Sequence, residues 1–218
     1  MRSNIAKVAG FLAVSVILGV VISACASRTP AEQARVGAVA YSKLVHDIVV
    51  AEQTVYASKP TDYSEARHLQ VRQRIRTLAV SAVVYDDVAV AIHDGMKLPA
   101  ALANAQIAVA NALTDLSSEL PQVAAWKAPI DAAIRILRAL IPASAFTSSP
   151  SVLGAQVVPP IFGLIALLLQ LVGQGRIAAM DLVALFRKKG VTDDEINAAK
   201  GVLLDDIADI DEEAKNKA

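Results

Sequence analysis

Residues 71–92 read VRQRIRTLAVSAVVYDDVAVAI, and their spacing decides the fold. Val71, Ile75, Leu78, Ala82, Tyr85, Ala89 and Ile92 recur at alternating steps of four and three. Such steps hold one apolar stripe along one side of a helix, the seam of a bundle. A half-buried strand would alternate in twos instead. This helix is expected to begin near Thr61 or Asp62, with Glu65 completing a cap, and to end at Asp94-Gly95.

The same spacing extends in both directions. A first helix is expected over Pro30–Ala57, with Thr29 as cap and a seam of Ala34, Ala38, Tyr41, Val45, Ile48, Glu52 and Val55. Glu52 is the one break in that seam. A third helix starts around Pro99 and carries Leu102, Ala105, Val109, Ala112 and Leu116. Pro121 opens a fourth, with Trp126, Ile130, Ala133, Leu137 and Leu140, and Pro142 closes it. Short connections make sequential helices antiparallel neighbours. The expected fold class is all-α, an antiparallel helical bundle of about four to six helices. Residues 30–142 form a four-helix up-down unit, followed by a loop over 143–159.

The 37 residues of 139–175 carry no charge. After Pro159-Pro160, residues 161–172 are apolar all round. A helix of that kind is buried in protein or in lipid. Twelve residues fall short of the ~20 that span a bilayer. An apolar helix over 160–189, buried in the bundle, is the expectation, and insertion of 152–173 into membrane is the alternative. An acidic C-terminal helix then fills 190–218. Thr192 and Glu195 make a capping box, and Ile196, Ala199, Leu203, Ile207 and Ile210 share one face.

The N-terminus has the three parts of a secretory signal: Arg2 and Lys7, an apolar run over 8–22, and small residues. Ile22-Ser23-Ala24-Cys25 closes it with the single cysteine of the chain. One cysteine forms no internal disulfide, which leaves the thiol for other chemistry.

These four residues resemble the lipobox of bacterial lipoproteins. The resemblance implies that residues 1–24 are a signal peptide, that Ile22, Ser23 and Ala24 are read by the signal peptidase, and that Cys25 is lipidated. It implies a lipidated tether over 25–29 and attachment to the membrane through the N-terminal lipid. Ala26 rather than Asp follows the cysteine, which in this family implies the periplasmic face of the outer membrane.

Charge divides the mature chain. Residues 25–189 hold 16 Lys or Arg against 12 Asp or Glu, whereas 190–218 hold 3 against 9. No basic stripe dominates, so nucleic acid is not an expected partner. Two faces remain as candidates for a protein partner or for self-association: Arg67, Arg72, Arg74 and Arg76 on the second helix, and the acidic last helix.

Catalytic motifs are missing. Glu65-Ala-Arg-His68 has the Glu-x-x-His spacing of di-iron bundles, but neither His46 nor His93 has the matching glutamate. His68 is expected at the surface beside the arginines. Asp205, Asp209, Asp211 and Glu213 lack the glycine an EF-hand turn requires. Neither a catalytic residue, a metal ligand nor a cofactor is implied. The expected role is structural or partner-binding, in a protein fixed at the envelope by lipid. The alternative is a membrane-active or oligomeric lipoprotein, a pore component or a phage-type exclusion or lysis factor, that uses 152–173.

Overall fold

The computed structural model describes residues 29–58, 63–92, 100–120, 131, 134, 188 and 190–217. Its long elements are all helices: α1 (Pro30–Ala57), α2 (Glu65–Ala91), α3 (Ala100–Glu119) and α4 (Asp193–Asn216). The helical bundle read from the seams is what these elements build. The helix expected from Pro121 falls outside the described residues apart from Asp131 and Ile134. Cys25 and its neighbours, the loop over 143–159 and most of 160–189 also lie outside them.

Each helix starts where local hydrogen bonding dictates. Thr29 Oγ1 accepts from the Glu32 N–H at 3.2 Å, and Glu32 Oε2 accepts from the Thr29 N–H at 2.8 Å. Two otherwise orphaned donors are thereby satisfied reciprocally. Thr192 and Glu195 repeat the device at the start of α4. The start of α2 differs from expectation. Ser64, not Thr61 or Asp62, is its cap: the Ser64 backbone is extended and its hydroxyl accepts from the Arg67 N–H. Glu65 is then the first helical residue and does not close a capping box.

The seams are the core. Val71, Ile75, Leu78, Ala82, Tyr85, Ala89 and Ile92 are each at most 2% exposed. Ala34, Ala38, Tyr41, Val45 and Ile48 of α1 and Leu102, Ala105, Val109, Ala112 and Leu116 of α3 are buried with them. Tyr41 and Tyr85 meet edge-on with centroids 4.9 Å apart, a geometry worth about 1 kcal/mol beyond burial. Gly37 makes room for that pair. A Cβ there would lie 2.9 Å from the Tyr85 hydroxyl oxygen.

α2 is the central rod. It packs against α1, α3 and α4, and α4 packs against α1 as well. Glu52 touches His68 and Ser42 touches Asp86, so α1 and α2 are antiparallel. Asp87 meets Lys200 and Arg76 meets Asp211, so α4 also runs against α2. Arg35 meets Asp193 and His46 meets Asp206. The last helix therefore runs parallel to the first, in the groove between α1 and α2. A parallel pair needs a long crossover, and residues 120–192 lie between α3 and α4.

Candidate functional site

The most concentrated polar chemistry lies where α1, α2 and the end of α4 converge. Helical spacing puts His68, Arg72 and Arg76 one turn apart on one face of α2. α1 brings Glu52 and Tyr56, and Tyr63 precedes the cap of α2. α4 brings Asp211, Glu213 and, just past its end, Lys217.

Glu52 is wholly buried. Its Oε1 accepts from the Tyr63 hydroxyl at 2.6 Å and lies 2.6 Å from His68 Nδ1. His68 Nε2 lies 2.8 Å from Glu213 Oε1. Each ring nitrogen of His68 thus faces a carboxyl oxygen, one from α1 and one from α4. Tyr56 lies flat on the His68 ring, centroids 3.6 Å apart and planes 5° from parallel. Lys217 sits 5.2 Å above the other aromatic system, that of Tyr56. Glu213 also accepts from Arg72 Nε at 3.1 Å and Lys217 Nζ at 2.9 Å. Burial opposes ionisation of Glu213, but the Lys217 ammonium, the His68 ring and Arg72 outweigh it and hold its carboxyl at about 2. An open cleft of about 380 Å³ borders the cluster, lined by Gln53, Arg72, Asp209, Glu212, Glu213, Asn216 and Lys217.

The arrangement ties three helices together. Both His68 nitrogens are engaged by carboxyl groups of the protein itself. The Tyr63 hydroxyl, which shares Glu52 Oε1 with that ring, is committed to the same carboxyl. Among the described residues, no group of three or more His, Cys, Asp and Glu is placed to hold a metal ion. What the geometry does is fasten α4 to α1 and α2.

The four arginines singled out from the sequence are engaged in two directions. Arg72 and Arg76 hold α4: Arg72 through Glu213, and Arg76 through a two-point contact with Asp211. Arg67 and Arg74 face α3, where Glu119 lies 3.4 Å and 3.6 Å away. The basic face and the acidic helix thus meet each other within one chain. His68, expected at the surface, is 2% exposed because Glu52, Glu213 and the Tyr56 ring enclose it. Glu52, the break in the first seam, is the buried anchor of the cluster. The two faces were expected separately, each toward a partner; their opposite charge is the sequence signal that could have shown this contact.

A second polar group sits in the core. Ser42 Oγ donates to Asp86 Oδ2 at 2.7 Å, and Asp86 Oδ1 has no hydrogen-bond partner. Burial pushes the Asp86 carboxyl up to about 7, with the Ser42 hydrogen bond opposing.

No protein family, curated protein or solved structure matches this chain.

Proposed function

We propose that this chain is a lipid-anchored protein of the cell envelope whose helical bundle has a structural or partner-binding role without catalysis. The observation that carries the reading is the distance between anchor and fold. Ile22-Ser23-Ala24-Cys25 has the pattern of a lipobox, and α1 begins at Pro30. Four residues separate the lipidated cysteine from a rigid rod, so the bundle sits against the membrane face. Two or more acyl chains on Cys25 hold it there stably, each buried CH₂ contributing about 0.8 kcal/mol. The residue after the cysteine, Ala26, supports the periplasmic face of the outer membrane.

A second reading is kept by the uncharged run of 139–175. In it, 152–173 enters the bilayer and the protein is membrane-active. Among the described residues no helix is long and apolar enough to cross a membrane, and this segment lies outside them.

One fractionation separates the two. Residues 1–25 are replaced by an ordinary cleavable secretory signal. The leading reading expects a soluble periplasmic chain. Retention in membranes after alkaline washing would replace it with the second.

A further inference from the structure

The cleft at the end of α4 gathers polar groups of both signs that the fold leaves partly unpaired. Glu213, in its wall, is not among them: His68, Arg72 and Lys217 all meet it. Lys217 also reaches Glu65 at 3.3 Å. Arg72 differs. It is 3% exposed and spends Nε on Glu213, yet its Nη1 is buried without a hydrogen-bond partner. A buried guanidinium nitrogen without an acceptor is costly, and an acceptor brought by a ligand relieves that cost.

The acidic side of the same cleft is Asp209 and Glu212, exposed and three residues apart on one face of α4. Among the described residues, neither takes part in a hydrogen bond or an ion pair. Gln53 of α1 and Asn216 of α4 add amides that both donate and accept. Three helices therefore build the walls. The volume of about 380 Å³ lies within the roughly 300–1,000 Å³ of small-molecule sites. A simple anion would meet Arg72 but face Asp209 and Glu212. A simple cation would meet those two but face Arg72 and Lys217. A molecule with one charge of each sign answers both sides.

We propose that this cleft binds a zwitterion of amino-acid size, with its carboxylate on the Arg72 guanidinium and its ammonium between Asp209 and Glu212. The planar fork of arginine suits a carboxylate, which it can meet with two parallel hydrogen bonds. Gln53 and Asn216 then serve the polar side chain of the ligand. A molecule seated there touches α1, α2 and α4 at once, so binding stabilises the docking of α4 by mass action. The proposal goes beyond the envelope reading and does not rest on the lipid anchor. Its failure leaves that reading as it was.

Calorimetric titration of the purified protein with L-glutamine and with glycine tests this, with acetate and methylamine as the two halves of the ligand. Glutamine is expected to bind, and each half to bind at least about tenfold more weakly, since it forfeits a charged hydrogen-bonded contact. The double variant Asp209→Asn, Glu212→Gln removes the partners of the ammonium at two exposed, unpaired positions, where replacement leaves the fold intact. It should lose about tenfold in affinity. Arg72→Lys keeps a positive charge beside Glu213, removes the fork, and should lose about as much. Glutamine should raise the melting temperature of the parent and shift either variant less. Absence of binding by both glutamine and glycine would overturn the proposal. So would acetate or methylamine binding as tightly as glutamine, or full affinity in the Asp209→Asn, Glu212→Gln variant, which keeps the test decisive even if Arg72→Lys fails to fold.

Discussion

Glu52 and His68 meet in the core at 2.6 Å, with 0% and 2% of their side chains exposed. The pair joins α1 to α2, and through the second ring nitrogen it reaches Glu213 of α4. Breaking a buried pair by removing one member costs about 3–5 kcal/mol, because the other is left without its partner. Glu52→Ala strips an acceptor from both Tyr63 and His68. Urea unfolding of this variant is expected to show a loss in that range. A loss below about 1 kcal/mol would mean that the pair contributes no more than a surface contact.

Asp86 makes stability fall as pH rises. Its carboxyl is raised to about 7 from the usual 3.8, so the native state holds the proton more tightly than the unfolded chain. The stabilisation is full below pH 3.8 and is lost as pH climbs through about 7. A tenfold change in proton affinity is about 1.4 kcal/mol, so the loss is about 4 kcal/mol. Asp86→Asn keeps an acceptor for Ser42 and removes the titration. Its stability is expected to be flatter between pH 4 and 7 and above that of the parent at pH 8. An unchanged slope would place the titration elsewhere.

Glu213 gives the opposite slope at lower pH. Its carboxyl is held at about 2, below the usual 4.5. The stabilisation is present above pH 4.5 and disappears as pH falls through about 2. It is worth up to about 3 kcal/mol. Glu213→Gln should lose that much at pH 7 and little at pH 2, read from thermal or urea unfolding across the range. An equal loss at both ends would mean that packing, not charge, is what Glu213 contributes.

Gly37→Ala sets two effects against each other. Alanine favours the helix interior by about 1 kcal/mol over glycine. Here its Cβ would lie 2.9 Å from the hydroxyl oxygen of Tyr85, a ring fixed against Tyr41 in the core. Overpacking of that kind costs about 1–3 kcal/mol. The variant is expected to melt at or below the parent. In a Tyr85→Phe background, without the hydroxyl, the same substitution should raise the melting temperature. Equal effects in both backgrounds would show that the close approach costs nothing.

Much of this architecture was legible one helix at a time. The seam from Val71 to Ile92 and the span of α1 follow from apolar periodicity, which is a local property. The start of α2 was misjudged because Asp62 and Ser64 both offer a capping oxygen, and only backbone geometry chooses Ser64. The polar cluster was harder. Glu52 looked like a fault in a seam and His68 like a surface residue, because each is explained by the other and by a residue far along the chain. His68 and Glu213 are 145 positions apart. No periodicity within one helix sets the register between two, so the arginines and the acidic helix were visible as separate faces before they were visible as one contact.

The parallel alignment of α1 with α4 bears on how the chain is made. Arg35 and Asp193, 158 positions apart, close the same end of the bundle. A chain that emerges N-terminus first exposes the α1–α2 trough long before the helix that fills it arrives. Until residues 193–216 dock, an aliphatic strip edged with guanidinium groups stands open to chaperones and proteases. Burial of Ile196, Leu203 and Ile210 can follow only once residues 193–216 have been made.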